Sequence, residues 1–220
     1  MKVALFDFDG TIYKEETFPL LMKHLKQHPT FKHRYQKFFR LALLPFIAYK
    51  IKLYPEEKMK YVMMQKYLHA FKGVTIYELD LFFKSLVENM KEDLNATVIQ
   101  RMQEHALDGC HIMIVSGAFT PILQFIAEDL PVDTFIGTDI PEKNGLYDEK
   151  IKITHVQGEW KNKLVLESVQ GVSVNWAASF AYGDSASDIP LLTLVGNPIA
   201  VNPDERLQHE ATNKGWEILS

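Results

Sequence analysis

Val3-Ala4-Leu5-Phe6-Asp7-Phe8-Asp9-Gly10-Thr11 decides the fold. Four consecutive apolar residues without polar alternation predict a strand buried on both faces. Such strands build parallel sheets, whose sites lie outside the carboxyl ends of the strands. Asp7 and Asp9 stand at that end. Two residues apart on extended chain, they point to one side. Two carboxylates that converge need a cation or a shared proton. Gly10 frees the chain to turn sharply away.

Further along, the same grammar repeats. His111–Val115 and Ser179–Tyr182 read as core strands, with Phe135–Ile140 and Pro198–Val201 as shorter ones. Helical patterns separate them over Thr97–Leu107, Thr120–Leu130 and Glu159–Val169. Asn144-Gly145 predicts a tight hairpin, with Tyr147–Ile153 as its returning strand. A helical, polar end follows the last strand. Alternating strands and helices with short loops predict an α/β fold, a doubly wound, Rossmann-like parallel sheet. Glu15 to Met90 breaks the pattern and reads as helical, divided by Pro29, Pro45 and Pro55. The expected division is therefore 1–13 and 91–220 for the sheet domain and 14–90 for a helical insertion after the first strand.

Charge supports two parts with different tasks. Residues 14–90 carry 14 Lys/Arg against 7 Asp/Glu, whereas the remainder carries 10 against 21. From Phe18 to Tyr54 there are eight basic residues and no acidic one. That stretch also holds the apolar run Phe38–Tyr49. Such a segment suits either a helical bundle with a solvated basic face or contact with an anionic membrane through residues 31–54. The single cysteine, Cys110, excludes an internal disulfide and fits a reducing compartment. Its apolar neighbours predict an inert buried thiol. Neither a leader peptide nor an apolar run of spanning length is visible, so a cytoplasmic location is expected. The acidic sheet domain and the lack of a matching motif argue against nucleic acid.

Three core strands end in polar turns: Asp7/Asp9, Ser116-Gly117 and Gly183-Asp184-Ser185-Ala186-Ser187-Asp188. In a parallel sheet these turns share one edge. Clustered carboxylates suit a hard divalent cation such as Mg²⁺. A hydroxyl and backbone amides at a helix start suit a phosphate. Lys161, at the opening of a helix between the second and third core strands, adds a positive charge. Together these groups suit metal-assisted phosphoryl transfer.

Four motifs carry a resemblance. Asp7-Phe8-Asp9-Gly10-Thr11, Val115-Ser116-Gly117-Ala118, Lys161 and Gly183–Asp188 resemble, in order, those of the haloacid dehalogenase (HAD) superfamily of phosphatases. The helical insert directly after the first motif looks like the subgroup that contains phosphoserine phosphatase, with its C1-type cap. The resemblance implies that Asp7 is the nucleophile and Asp9 the acid and base. It implies Mg²⁺ held by Asp7, the Asp9 backbone carbonyl and Asp184, with Asp188 holding the metal's surroundings or Lys161. Ser116 and Gly117 would grip the phosphate, Lys161 would neutralise it, and Thr11 would support the loop beside it. Lys163 is the rival lysine, with a solvated helix face as its alternative reading. An acid at position 9 favours ester hydrolysis over dehalogenation, because an alkoxide needs a proton and a halide does not.

Glu16-Thr17 matches a pair in phosphoserine phosphatases whose Glu contacts the substrate amine. Those enzymes also use a cap arginine for the substrate carboxylate. Here the insert's arginines, Arg34 and Arg40, both lie in the basic apolar stretch. The expected substrate is a small phosphomonoester of the phosphoserine type, hydrolysed by a monomer or homodimer. A lipid headgroup phosphate, such as phosphatidylglycerophosphate, is the alternative. A non-catalytic phosphate-binding module is a third reading, opposed by the intact Asp7/Asp9 pair. His111 and His155 read as core or surface histidines, and Trp160 as either a pocket wall or packing.

Overall fold

The computed structural model describes residues 1–53 and 55–220. Tyr54, the last residue of the basic apolar stretch, lies outside them. The chain divides into two units: residues 1–16, 87–138 and 156–220, and residues 17–86 with 139–155.

The first unit is built on a six-stranded sheet. Its strands are β1 (Val3–Phe6), β2 (His111–Phe119), β3 (Thr134–Thr138), β6 (Phe180–Gly183), β7 (Asn197–Val201) and β8 (Glu217–Leu219). Every pairing is parallel, in the order β3-β2-β1-β6-β7-β8. The chain winds outward from β1 through β2 and β3, then returns to β1's other side with β6. The switch point therefore lies between β1 and β6, where an open sheet leaves a crevice at its carboxyl edge.

β1 is buried throughout, as its unbroken apolar run requires. Alternate residues serve opposite faces. Val3 and Leu5 join Met113, Val115, Ala181 and Ala200 in one core, closed by Val165 of α7 (Glu159–Ser168) and by Leu207 and Ala211 of α9 (Glu205–Lys214). On the other face Phe6 stacks on Tyr182 with centroids 4.5 Å apart. There the Tyr182 hydroxyl pairs with His105 Nε2 at 2.8 Å, from α5 (Ala96–Leu107). α6 (Thr120–Ala127) follows β2, and α8 (Ile189–Leu192) follows β6. Cys110 is buried, and burial pushes its thiol pKa up.

The second unit holds α1 (Thr17–Gln27), α2 (Lys32–Lys50), α3 (Glu56–His69) and most of α4 (Ile76–Glu88). Phe31, Tyr67, Phe71 and Phe82 form its aromatic centre, with ring centroids 5.1–5.8 Å apart. Thr75 and Glu78 cap α4 reciprocally: the Glu78 amide donates to Thr75 Oγ1 at 3.1 Å, and the Thr75 amide to Glu78 Oε2 at 3.0 Å.

Four expectations need correction. Pro45 does not end a helix; α2 runs through it. Proline's missing N–H removes one ladder bond, the one to the Leu41 carbonyl, and the helix continues past it. The hairpin is β4 (Glu142–Lys143) and β5 (Leu146–Tyr147), so the returning strand stops after two residues. Asn144 and Gly145 both have positive φ, as its turn demands. The hairpin groups with the helices rather than with the sheet. Ile76 N–H donates to the Gly145 carbonyl at 2.9 Å, and Ile153 N–H to Gln65 Oε1 at 2.9 Å. Finally, the polar end holds the edge strand β8 as well as α9.

Candidate active site

The site grows from the sheet's switch point. The Asp7 amide donates to the Tyr182 carbonyl at 2.9 Å, which carries the β1–β6 pairing one residue past the strand. Gly10 then turns the chain at φ +73°, and its amide donates to the Glu15 carbonyl at 3.3 Å. The glycine is required twice over. Its φ is left-handed, and a Cβ there would overlap the Asp184 carboxylate.

On the neighbouring strand, Ser116 and Gly117 lie in β2 where its register against β3 shifts between Val115 and Phe119. Ser116 is buried, and its Oγ accepts from the Ala118 amide at 3.1 Å. Thr138 Oγ1 donates to the Gly117 carbonyl at 2.8 Å and so fixes that peptide.

Lys161 sits in the first turn of α7 and is buried. Its Nζ donates to Asp7 Oδ1 at 2.5 Å and to Asp188 Oδ1 at 2.6 Å. The other oxygen of Asp188 accepts from the Ser185 amide at 3.3 Å and from Ser185 Oγ at 3.1 Å. Asp188 is thus held on both oxygens. Gly183 makes room for it, since a Cβ at 183 would lie 2.6 Å from that of Asp188.

Carboxylates outnumber cations here. Ligand atoms of Asp7, Asp184 and Asp188 all lie within 4.8 Å of one another, beside the Lys161 ammonium. Burial and then the Asp188 charge raise the Asp7 carboxyl well above its ordinary range, against the pull of Lys161. Burial, Asp188 and exposed Glu16 push Asp184 up to about 7. Burial opposes the charge of Lys161, but Asp188 and Asp7 outweigh it and raise its pKa. A pocket that draws in protons this way is short of positive charge. Its all-oxygen, all-carboxylate donor set suits a hard divalent cation.

Most of the residues expected from the sequence meet here. Asp7, Asp184, Asp188 and Lys161 converge, and Glu16 lies close enough to raise Asp184. The Asp9 carboxylate is outside the acidic cluster; it sits half-buried in the turn, where Asp9 bridges to Tyr13. The Thr11 amide donates to the Phe8 carbonyl at 3.2 Å, while its buried hydroxyl has no partner among the described residues. Lys163 lies away on the outer face of α7, half-exposed, 4.0 Å over the Trp160 ring and paired with Glu167 at 3.8 Å. His111 lies at the opposite end of β2, bonded to Thr134 Oγ1 at 2.9 Å. His155 falls in the helical unit.

Sequence reasoning missed Asp204. Its amide donates to the Asp184 carbonyl at 2.8 Å, and its Oδ2 accepts from the Ala186 amide at 2.9 Å. The other oxygen caps α9 by accepting from Leu207 N at 2.7 Å. Asp204 therefore pins the loop that carries Asp184 and Asp188. Its signal was an N-cap pattern, Asp204 before a helical run.

Comparison with known proteins shows the family and the fold. Residues 4–193 match the family model of haloacid dehalogenase-like hydrolases. Over 163 residues the chain is 29% identical to the inhibition of morphological differentiation protein of Streptomyces azureus, covering 71% of this chain and 57% of that one. Identity to a histidinol-phosphatase of Neisseria meningitidis is 31%, over 56% of this chain and 58% of that one. A phosphoserine phosphatase of Mycobacterium tuberculosis is 29% identical over 53% of this chain and 38% of its own. The chain thus spans only about half the length of such relatives. Among solved structures, a Bordetella pertussis protein of unknown function superposes with a TM-score of 0.81 at 21% identity, covering 100% and 98% of the two chains. A substrate-bound phosphoserine phosphatase gives 0.66 at 17% identity, covering 99% and 92%. The chain belongs to the haloacid dehalogenase-like hydrolases and has the phosphoserine phosphatase-like fold.

Proposed function

We propose that the chain is a Mg²⁺-dependent phosphomonoester hydrolase working through an aspartyl-phosphate on Asp7. The observation that carries this reading is the buried trio of Lys161, Asp7 and Asp188, set against Asp184 at the sheet's switch point. Asp7 attacks phosphorus through one carboxylate oxygen, and the ester oxygen departs as Asp9 gives it a proton. Asp9 then takes a proton from water as that water attacks the aspartyl-phosphate, which frees phosphate and restores Asp7. Ser116 Oγ–H and the Gly117 amide hold the phosphoryl oxygens. Lys161 balances the charge that collects on Asp7 and the phosphoryl group, and Asp188 keeps its ammonium aimed. Thr11 Oγ1, buried without a partner among the described residues, is a further donor for the phosphate side of the site. Asp7, Asp184 and the Asp9 carbonyl would hold Mg²⁺, and the ion would supply the positive charge that the carboxylates and the phosphoryl oxygens lack.

The substrate reading is a small phosphorylated metabolite that bears an amine. Glu16 supports it: an exposed carboxylate near Asp184 can receive an ammonium beside the reacting phosphate. Phosphoserine and histidinol phosphate, named for two relatives, are both phosphate esters of amino alcohols. An aryl phosphate assay tests the chemistry, with hydrolysis expected in Mg²⁺ and lost on chelation. Glu16→Ala should reduce the preference for amine-bearing over plain phosphomonoesters by about tenfold. An unchanged preference would remove the amine reading and leave the chemistry standing.

A further inference from the structure

The helical unit leaves one face of α2 uncovered. Phe38 and Ala42 are buried, and Phe38 meets Phe18 and Tyr67 edge-on with centroids 6.3 and 5.5 Å away. On the opposite side of the same helix, by its 3.6-residue period, Leu43, Leu44 and Ile47 face solvent, with exposed Phe39 on the flank. Ile51 and Leu53 extend the row past the helix end. Leu44 is 75% exposed, Leu53 68% and Ile51 62%. Scattered apolar residues on a surface are ordinary, but adjoining ones on one helix face and its following turn mark an interaction surface.

Charge tells which partner fits. The stretch Phe18–Tyr54 has eight basic residues and no acidic one, in a chain whose net charge is −4. Arg40, Lys50 and Lys52 are exposed among the apolar side chains, and Lys50 Nζ stands 5.4 Å from the Phe46 ring centroid. A second copy of this face would bring the same cations together with no counter-charge. A nucleic acid would pair with the cations but leave the leucines and isoleucines without an apolar partner. An anionic bilayer takes both kinds: apolar side chains enter the acyl boundary, while long basic side chains reach the headgroup phosphates. No helix among the described residues is long and apolar enough to cross a membrane, so α2 would lie in the interface plane.

We propose that the outer face of α2, continued through Ile51 and Leu53, docks the helical unit on an anionic membrane surface. Docking of this kind requires nothing of the catalytic site, so it stands or falls separately from the phosphatase reading. Sedimentation with lipid vesicles tests it. The full chain should sediment with phosphatidylcholine vesicles containing roughly a third phosphatidylglycerol, and remain in solution with phosphatidylcholine alone. Raising salt from about 0.1 to about 0.5 M should weaken binding about tenfold. The double variant Leu44→Asp/Leu53→Asp should bind about tenfold more weakly or worse, as should Arg40→Glu/Lys50→Glu. These positions are exposed, so the unfolding midpoint and aryl phosphate hydrolysis should not move. Absence of binding to anionic vesicles, or equal binding to neutral ones, would overturn the inference. So would a dimer in light scattering that Leu44→Asp dissociates, which would assign the face to a second copy.

Discussion

The sheet unit and the helical unit depart from ordinary packing in opposite ways. The sheet unit buries what proteins normally expose: two carboxylates and an ammonium, with a third carboxylate alongside. The helical unit exposes what proteins normally bury, a row of leucine, isoleucine and phenylalanine on α2. Buried charge is a weak source of stability, because desolvation offsets much of the Coulomb gain. Exposed apolar surface contributes none. Elsewhere both units solve packing conventionally, with Val/Leu/Ala between sheet and helices in one and an aromatic cluster in the other. The two departures are therefore the places where function is to be sought.

The contrast can be broken at its charged end first. Lys161→Met leaves Asp7 and Asp188 buried together without their cation. It should cost about 3–5 kcal/mol in urea unfolding of metal-free protein. A loss below about 1 kcal/mol would mean the carboxylates are not packed against Nζ as described. A smaller effect comes from pH. Asp184 holds its proton more tightly folded than unfolded, because its pKa is raised to about 7. Its contribution to stability is therefore fully present below the unfolded carboxyl value near 4 and is lost as pH rises through about 7. In chelator, wild type should lose about 2 kcal/mol relative to Asp184→Asn between pH 5 and pH 8. Metal titrations should show the converse, with affinity rising over the same window as the metal replaces the proton. The smallest change belongs to the helical unit. Tyr67 Oη donates to the Leu21 carbonyl at 3.0 Å in a buried setting. Tyr67→Phe should cost about 1 kcal/mol by thermal unfolding while metal affinity stays unchanged.

Legibility in the sequence followed locality. β1, the start of β2 and β6 were readable because strands buried on both faces are continuous apolar runs. The acidic and Ser-Gly turns that end them were readable for the same reason, since each sits directly after its run. Lys161 was distinguishable from Lys163 by its place at the helix opening, and the structure separates the two by burial. What escaped depends on distant partners. β8 is three residues long and becomes a strand only by pairing with β7. The hairpin at 142–147 groups with the helical unit through bonds to Val74, Ile76 and Gln65, far away in sequence. Asp204 serves the site through the Asp184 carbonyl, a contact that no local pattern encodes. Gly10 was readable as a turn, but not as the space that the Asp184 carboxylate occupies.

The proposed chemistry gives the phosphoryl group to Asp7 and the protons to Asp9. Acid-quenched intact mass spectrometry of protein turning over an aryl phosphate in Mg²⁺ tests it most directly. Asp9→Asn should accumulate a species heavier by one phosphoryl group, because an aryl oxide leaves without a proton and the intermediate still forms, whereas Asn cannot take a proton from the attacking water. Asp7→Asn should show no such species and lose at least about a thousandfold in turnover. A phosphorylated Asp7→Asn protein, or one that still turns over at the wild-type rate, would contradict the account.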